Sequence, residues 1–330
     1  MTKRTTGNIA LEYINKFPDT PTMTLARKMV KDHPLLFDVE RARTRIRYYR
    51  GALGKYRREK MKKTSPETIR EVGEAGWKYA LPPTKALPWS NYEIQFKKTL
   101  ILSDIHIPFQ DNTAIETAIK FGLDYKPNCI LLNGDIHDCY SISKYNKDPR
   151  LRDFSDELKS LEQLFQYLRE RFPKIEIIFK LGNHEERYEI YMFSRAPDMV
   201  GTSTWEYSEL INANKYKIKV VKDKQIIKLG KLPIIHGHEF MRGAFNPVNP
   251  ARGLFLRGVH TALTGHWHRT SDHAERTLDD KVITTWSQGC LCDLHPQYSP
   301  LNKWNHGFAI VESSEDFRVQ NKRIWNGKVL

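Results

Sequence analysis

Five short apolar runs in this chain all end the same way. Leu100-Ile101-Leu102-Ser103 stops at Asp104-Ile105-His106. Ile130-Leu131-Leu132-Asn133 runs into Gly134-Asp135-Ile136-His137-Asp138, and Ile175 to Leu181 runs into Gly182-Asn183-His184-Glu185. Leu232-Pro233-Ile234-Ile235 runs into His236-Gly237-His238, and Val259 to Thr264 runs into Gly265-His266-Trp267-His268. Short apolar runs between turn signals read as buried strands. Polar residues at the carboxyl end of such strands stand where open α/β sheets keep their ligands. One Asp-x-His is usually a turn carboxylate beside a surface imidazole. Five runs that each exit into carboxylate, imidazole or amide are not explained that way. Four of the exits carry a glycine, which lets the chain turn sharply so that side chains from separate loops converge.

The rest of the pattern alternates around these runs. Strands are expected at 99–103, 129–133 and 175–181, with helices over 112–125 and 154–172 between them and another beginning near Glu185. Beyond Tyr216 the chain turns β-rich, with strands expected at 218–221, 225–229, 232–235, 262–264, 282–286, 308–311 and 317–322. This is an α/β start with a β-rich second half.

The first 63 residues read differently. Helical spacing of Ile9, Tyr13, Ile14 and Phe17 gives one short helix. Thr22 to Lys31 gives a second, with Thr22 or Thr24 as its cap and Leu25, Met29 and Val30 inward. Val39 to Tyr49 gives a third, capped by Asp38. The chain carries a formal net charge of +14, of which residues 1–63 hold +11. Residues 41–63 contain eleven basic groups and one acid, Glu59, with Tyr48, Tyr49 and Tyr56 interleaved. Arg41, Arg43, Arg45, Arg47, Arg50, Lys55, Arg57 and Arg58 are the residues expected to meet a polyanion. Three helices with a basic third one resemble a helix-turn-helix DNA-binding module. The alternative is a solvated helix face or a protein-binding arm. Residues 64–97 read as a linker punctuated by Pro66, Pro82, Pro83 and Pro88, with Trp77, Tyr79 and Trp89 available to pin it to the body.

Apolar content of 40% is enough for a sizeable core. No stretch approaches the ~18 apolar residues of a membrane-spanning helix. The polar, basic start is not a signal peptide. The expected location is the cytoplasm, with Cys129, Cys139, Cys290 and Cys292 as reduced structural thiols. Cys290-Leu291-Cys292 is the one spacing that also admits a metal.

The series D-x-H, G-D-x-x-D, G-N-H-E, H-G-H and G-H-x-H resembles the calcineurin-like metallophosphoesterase superfamily over roughly residues 98 to 320. The resemblance implies two packed mixed β-sheets flanked by helices, an αββα sandwich, and the residue pattern ahead of it adds a small all-α module. It implies two divalent metals: one on Asp104, His106, Asp135 and His268, the other on Asp135, Asn183, His236 and His266, with Asp135 bridging. A hydroxide between the metals would attack phosphorus. His184 resembles the family's catalytic histidine, acting on the leaving oxygen. Asp138, His137, Glu185 and His238 could orient the rings, or be ordinary loop residues. Arg187 could hold a phosphate, and Asp293 and His295 could face the cleft. Mixed nitrogen and oxygen ligands suit Mn²⁺, Fe or Zn²⁺, and the resemblance favours Mn²⁺. The expected activity is a phosphodiesterase or nuclease acting on DNA. A phosphomonoesterase acting on nucleotides or proteins is the alternative, and a DNA-binding protein with a vestigial site the third reading.

Overall fold

The computed structural model describes residues 6–51, 84–86, 88–95, 98–145, 148–222, 224–240 and 248–330. The chain divides into two compact units, Met1–Leu87 and Pro88–Leu330.

Among the described residues, the first unit contains three helices, α1 (Thr6–Lys16), α2 (Thr22–Asp32) and α3 (Val39–Tyr49). Ile9, Ala10, Leu25, Ala26, Met29, Phe37, Ala42 and Ile46 form their core, with Tyr13, Ile14, Phe17 and Val30 packed against it. Asp38 caps α3 by accepting from the Arg41 amide at 2.7 Å. Neither threonine caps α2. Pro21 holds that position, and it makes no side-chain capping bond. Its fixed φ suffices to enter the helix.

The second unit is built on two sheets. Its strands are β1 (Tyr92–Ile94), β2 (Lys98–Leu102), β3 (Cys129–Asn133), β4 (Glu176–Lys180), β5 (Ile218–Val221), β6 (Ile227–Leu229) and β7 (Leu232–Ile235). They continue as β8 (Ala262–Thr264), β9 (Ser271–Arg276), β10 (Val282–Ser287), β11 (Gly307–Ser313), β12 (Phe317–Trp325) and β13 (Lys328–Val329). One sheet has the order β13-β12-β11-β2-β3-β4-β5 and the other β1-β6-β7-β8-β10-β9. The helices are α4 (Asn112–Tyr125), α5 (Phe154–Arg171), α6 (Glu186–Arg195), α7 (Tyr207–Leu210) and α8 (Pro250–Gly258).

The unbroken apolar runs follow from burial on both faces. Leu100, Leu102, Ile130, Leu132, Ile177 and Phe179 face α4 and α5 in one core. Their neighbours Ile101, Cys129, Leu131 and Ile178 face Ile227, Leu229, Ile234 and Leu263 of the other sheet in a second core. Period-two alternation thus splits one run between two cores.

Several elements went unread in the sequence, α7 and β13 among them. β1 lies inside the stretch read as linker and pairs in parallel with β6. β9 is mostly exposed and charged, and it pairs along its whole length with β10. α8 starts at Pro250 behind the Asn249 cap. Of the aromatic residues expected to pin the linker, Trp89 is 59% exposed, while Trp77 and Tyr79 lie outside the described residues. Among the described residues, no helix is long and apolar enough to cross a membrane.

Candidate active site

Strands β2, β3 and β4 run parallel in one sheet, and β7 and β8 in the other. Their carboxyl ends therefore share an edge. Beyond β2 and β3 the two exits keep pairing. Asp104 donates its amide to Gly134 O at 3.1 Å, and His106 to Asp135 O at 3.0 Å. This zipper sets Asp104 and His106 beside Asp135.

The exits are bent sharply. Asp104, His106, Asp135, His266 and His268 all have φ between 53° and 67°. Left-handed backbone costs a non-glycine residue about 1 kcal/mol. Such strain collects at functional sites, where surrounding contacts enforce it. Glycine is obligatory at Gly182, where a Cβ would press on the Asp135 backbone and carboxylate.

Seven side chains meet at short range. Asp135 Oδ2 lies 3.1 Å from His236 Nε2, 3.8 Å from His184 Nε2 and 3.9 Å from His106 Nε2. Asp104 Oδ1 lies 3.1 Å from His268 Nε2, which is 3.1 Å from His106 Nε2. Donor atoms of Asp135, His236 and His266 lie within 4.8 Å of one another, as do those of His106, Asp135 and His184. Asn183 Oδ1 and His266 Nδ1 are buried with no hydrogen-bond partner. Orphaned buried acceptors of this kind call for a partner. A divalent cation answers all of these at once, and carboxylate, imidazole and amide oxygen are donors such cations take. The residues fit the metal centre.

Electrostatics agree. Burial raises Asp104, but His268 and His236 draw it down to about 2. Burial depresses His236, yet Asp135 lifts it to about 10. Burial and the nearby His236 push His266 down to about 3. These acids and rings balance one another's charge, a role that bound cations take over with release of the protons.

A second layer fixes the first. His236 Nδ1 is 2.8 Å from Asn133 O, which turns Nε2 toward Asp135. His106 Nδ1 is 2.9 Å from Asp138 Oδ2. Ligand rings are oriented in this way in metal sites generally. Asp138 also meets His184 Nδ1 at 3.1 Å. Arg187 bonds Asp138 Oδ1 at 3.1 Å and stands 2.9 Å from His184 Nε2. Glu185 does something the sequence did not disclose. It is buried, and its carboxylate accepts the amides of Asp135, Ile136, His137 and Gly182 at 2.7–3.1 Å. Glu239 plays the same part for the amides of His236 and Gly237, at 2.9 and 2.6 Å. It is in turn paired with the buried Lys180 at 2.8 Å. Neither Lys180 nor Glu239 stands in a ligand motif.

Four further candidates differ in placement. His137 is fully buried and held by Tyr207 OH at 3.0 Å and Glu157 at 3.4 Å, so it supports the loop from behind. His238 pairs with Glu186 at 2.8 Å. Asp293 and His295 are exposed and bonded within their own loop. A cavity of about 460 Å³ beside α6 is lined by Tyr188, Phe193 and Trp205, and by none of the seven expected ligands.

Residues 97–286 match the family model for calcineurin-like phosphoesterase. The gene 54 protein of Mycobacterium phage L5 is 25% identical over 228 residues, 65% of this chain and 88% of that protein. Vacuolar protein sorting 29 from Cryptosporidium parvum is similar in structure with a TM-score of 0.39 and 12% identity, over 72% of this chain and 96% of that one. A dimetal phosphatase from Danio rerio gives a TM-score of 0.37 and 12% identity, over 71% and 97%. The family match spans more than half of the chain and contains all five strand exits with their converging donors. The chain therefore belongs to the calcineurin-like phosphoesterase family, as a metal-dependent hydrolase of phosphate esters.

Proposed function

We propose that the protein is a two-metal phosphodiesterase that cleaves nucleic acid, with DNA as the favoured substrate. The observation that carries two metals is Asp135. Its carboxylate belongs to two donor clusters, one with His106 and one with His236 and His266. Asp104, His106, Asp135 and His268 would hold one cation, and Asp135, Asn183, His236 and His266 the other, with Mn²⁺ the expected activator. When bound, the pair supplies an activated water and neutralises phosphoryl charge. Asn183 contributes a neutral amide, which leaves the site net positive toward an anionic ester.

The chain's own groups do the rest. His184 stands beside Asp135 and is raised by Asp135 and Asp138 against its burial. It can hold a proton for the leaving oxygen when the Arg187 guanidinium, which here donates to Nε2 at 2.9 Å, moves onto the phosphoryl oxygens. Asp138 fixes that ring. Arg187, beside His184 Nε2, presents a permanent cation to the phosphoryl oxygens.

The preference for DNA rests on the first unit. Arg41, Arg45 and Arg47 are exposed on α3, and residues 1–63 hold most of the net charge. Two expected contacts are qualified by the geometry. Arg43 is paired with Glu40 at 2.9 Å. Arg50 donates to Phe17 O and Pro18 O at 3.2 and 3.0 Å, so it staples the α1–α2 turn. Lys55, Arg57 and Arg58 lie outside the described residues. We read residues 1–63 as a helix-turn-helix-like binding module joined to a catalytic body in the cytoplasm, where the four free cysteines stay reduced.

The test compares bis-p-nitrophenyl phosphate, p-nitrophenyl phosphate and single- and double-stranded DNA with Mn²⁺. Turnover of the diester and of DNA is expected. Turnover of the monoester alone overturns the nuclease reading. Asp135→Asn should abolish activity in a folded protein, and retained turnover would refute the shared carboxylate.

A further inference from the structure

The Cys290-Leu291-Cys292 spacing finds a place that the two-metal reading leaves unused. The thiol of Cys292 and ring nitrogens of His106 and His268 lie within 4.8 Å of one another, and all three residues are buried. Thiolate binds a zinc-like ion at ~2.3 Å and imidazole at ~2.0–2.1 Å, and the two rings already stand 3.1 Å apart, so the three groups are placed to share an ion.

The backbone holds Cys292 there from both sides. Leu291 donates to Asp104 O at 3.0 Å and accepts from Asp111 at 2.9 Å. Asp293 donates to Phe109 O at 2.8 Å. Cys292 O receives His306 Nε2 at 2.9 Å. The segment is thus stitched to the loop that carries Asp104 and His106. Cys290 touches the Cys292 thiol and directs its own sulfur to Asn305 O at 3.7 Å.

We propose that Cys292 is a thiolate ligand of the metal held by Asp104, His106, Asp135 and His268. Thiolate selects borderline-soft ions, so this position prefers Zn²⁺ or Fe²⁺ over Mn²⁺. The cluster at Asp135, His236 and His266 offers only nitrogen and oxygen. The two positions therefore differ in their metals. On binding, the thiol proton passes to solvent. The proposal rests on the reading of this cluster as a metal site, and the experiment separates the two.

Full-length protein is titrated with Co²⁺ and its absorption spectrum recorded. Visible ligand-field bands report a bound ion, and a near-ultraviolet sulfur-to-cobalt band reports thiolate. The expected result is both sets of bands in the unaltered protein and in Cys290→Ser, and loss of the charge-transfer band alone in Cys292→Ser. Competition dialysis should show the Zn²⁺-over-Mn²⁺ preference falling about tenfold or more in Cys292→Ser, the scale of other ligand-shell losses. Ligand-field bands without a sulfur band overturn the proposal and leave the metal site standing. Failure to bind Co²⁺ overturns both. If Cys292→Ser does not fold, X-ray absorption of the zinc-loaded unaltered chain and of Cys290→Ser decides. A sulfur shell at about 2.3 Å in both supports the proposal, and a shell of nitrogen and oxygen alone refutes it.

Discussion

The substitution Glu185→Gln isolates what a single buried carboxylate does for this site. Oε1 accepts from Ile136 and His137 at 2.7 and 2.9 Å, and Oε2 from Asp135 and Gly182 at 3.1 and 2.8 Å. Glutamine keeps the shape but offers an acceptor at one end only. At the other end two buried amides face an NH₂ group. Each buried donor left unpaired costs about 1–3 kcal/mol, so the pair costs roughly 2–6. Relief of a buried charge offsets part of this. Burial and the neighbouring Asp135 push the Glu185 carboxyl up, while its amide donors pull it back. A net loss of about 3 kcal/mol follows, or roughly 6–12 °C in Tm for a unit of this size. The loop that carries Asp135 should also loosen, and apparent metal affinity should fall about 10–100-fold. Thermal unfolding and Zn²⁺ titration of the purified variant measure both. A variant that melts within about 1 °C of the parent and binds metal equally well would refute this account, because it would mean the four amides do not depend on the carboxylate.

Three further outcomes are expected. Lys180, His238 and His236 hold Glu239 down to about 2 against burial, compared with about 4.3 for a free glutamate. Its ionised form therefore stabilises the fold at neutral pH by roughly 3 kcal/mol, lost as pH falls from about 5 to about 2. Urea unfolding of metal-free protein across that window should show a decline that Glu239→Gln flattens, and parallel curves would disprove the coupling. Arg187→Ala should lower kcat on a phosphate diester about a hundredfold with the fold intact by circular dichroism, and an unchanged kcat would remove Arg187 from the mechanism. Replacing Arg41, Arg45 and Arg47 together by Gln should leave small-ester turnover unchanged. It should reduce the slope of log affinity for DNA against log salt by roughly 0.9 for each phosphate no longer neutralised, and an unaltered slope in a filter-binding series would rule out this face.

The residues that converge at the strand exits were legible because their signal is local. A buried strand has to end, and in these five the donor follows one to three residues after the last apolar residue. α4 and β3 occupy 112–125 and 129–133, the ranges their periodicity marks. β1 and β9 were not legible, since three residues in a Pro-rich stretch and six mostly polar ones carry no pattern of their own. Their strand character comes from partners, β6 for one and β10 for the other. Arg50 looked like its neighbours in a basic run, yet it faces the carbonyls of Phe17 and Pro18. His137 looked like its neighbours in a ligand motif, yet it faces Glu157 and Tyr207.

Sequence alone therefore determined which side chains stand at the strand ends, because alternation and turn chemistry act over a few residues. It determined the charge asymmetry as well. Only the tertiary structure decided which groups hold the loops in place: Glu185 under the Asp135 turn, Lys180 with Glu239 under the His236 turn, and Cys292 beside His106 and His268. Those pairings join residues tens to nearly two hundred positions apart. They arise where the strand ends of two face-packed sheets come together, and that packing has no local code.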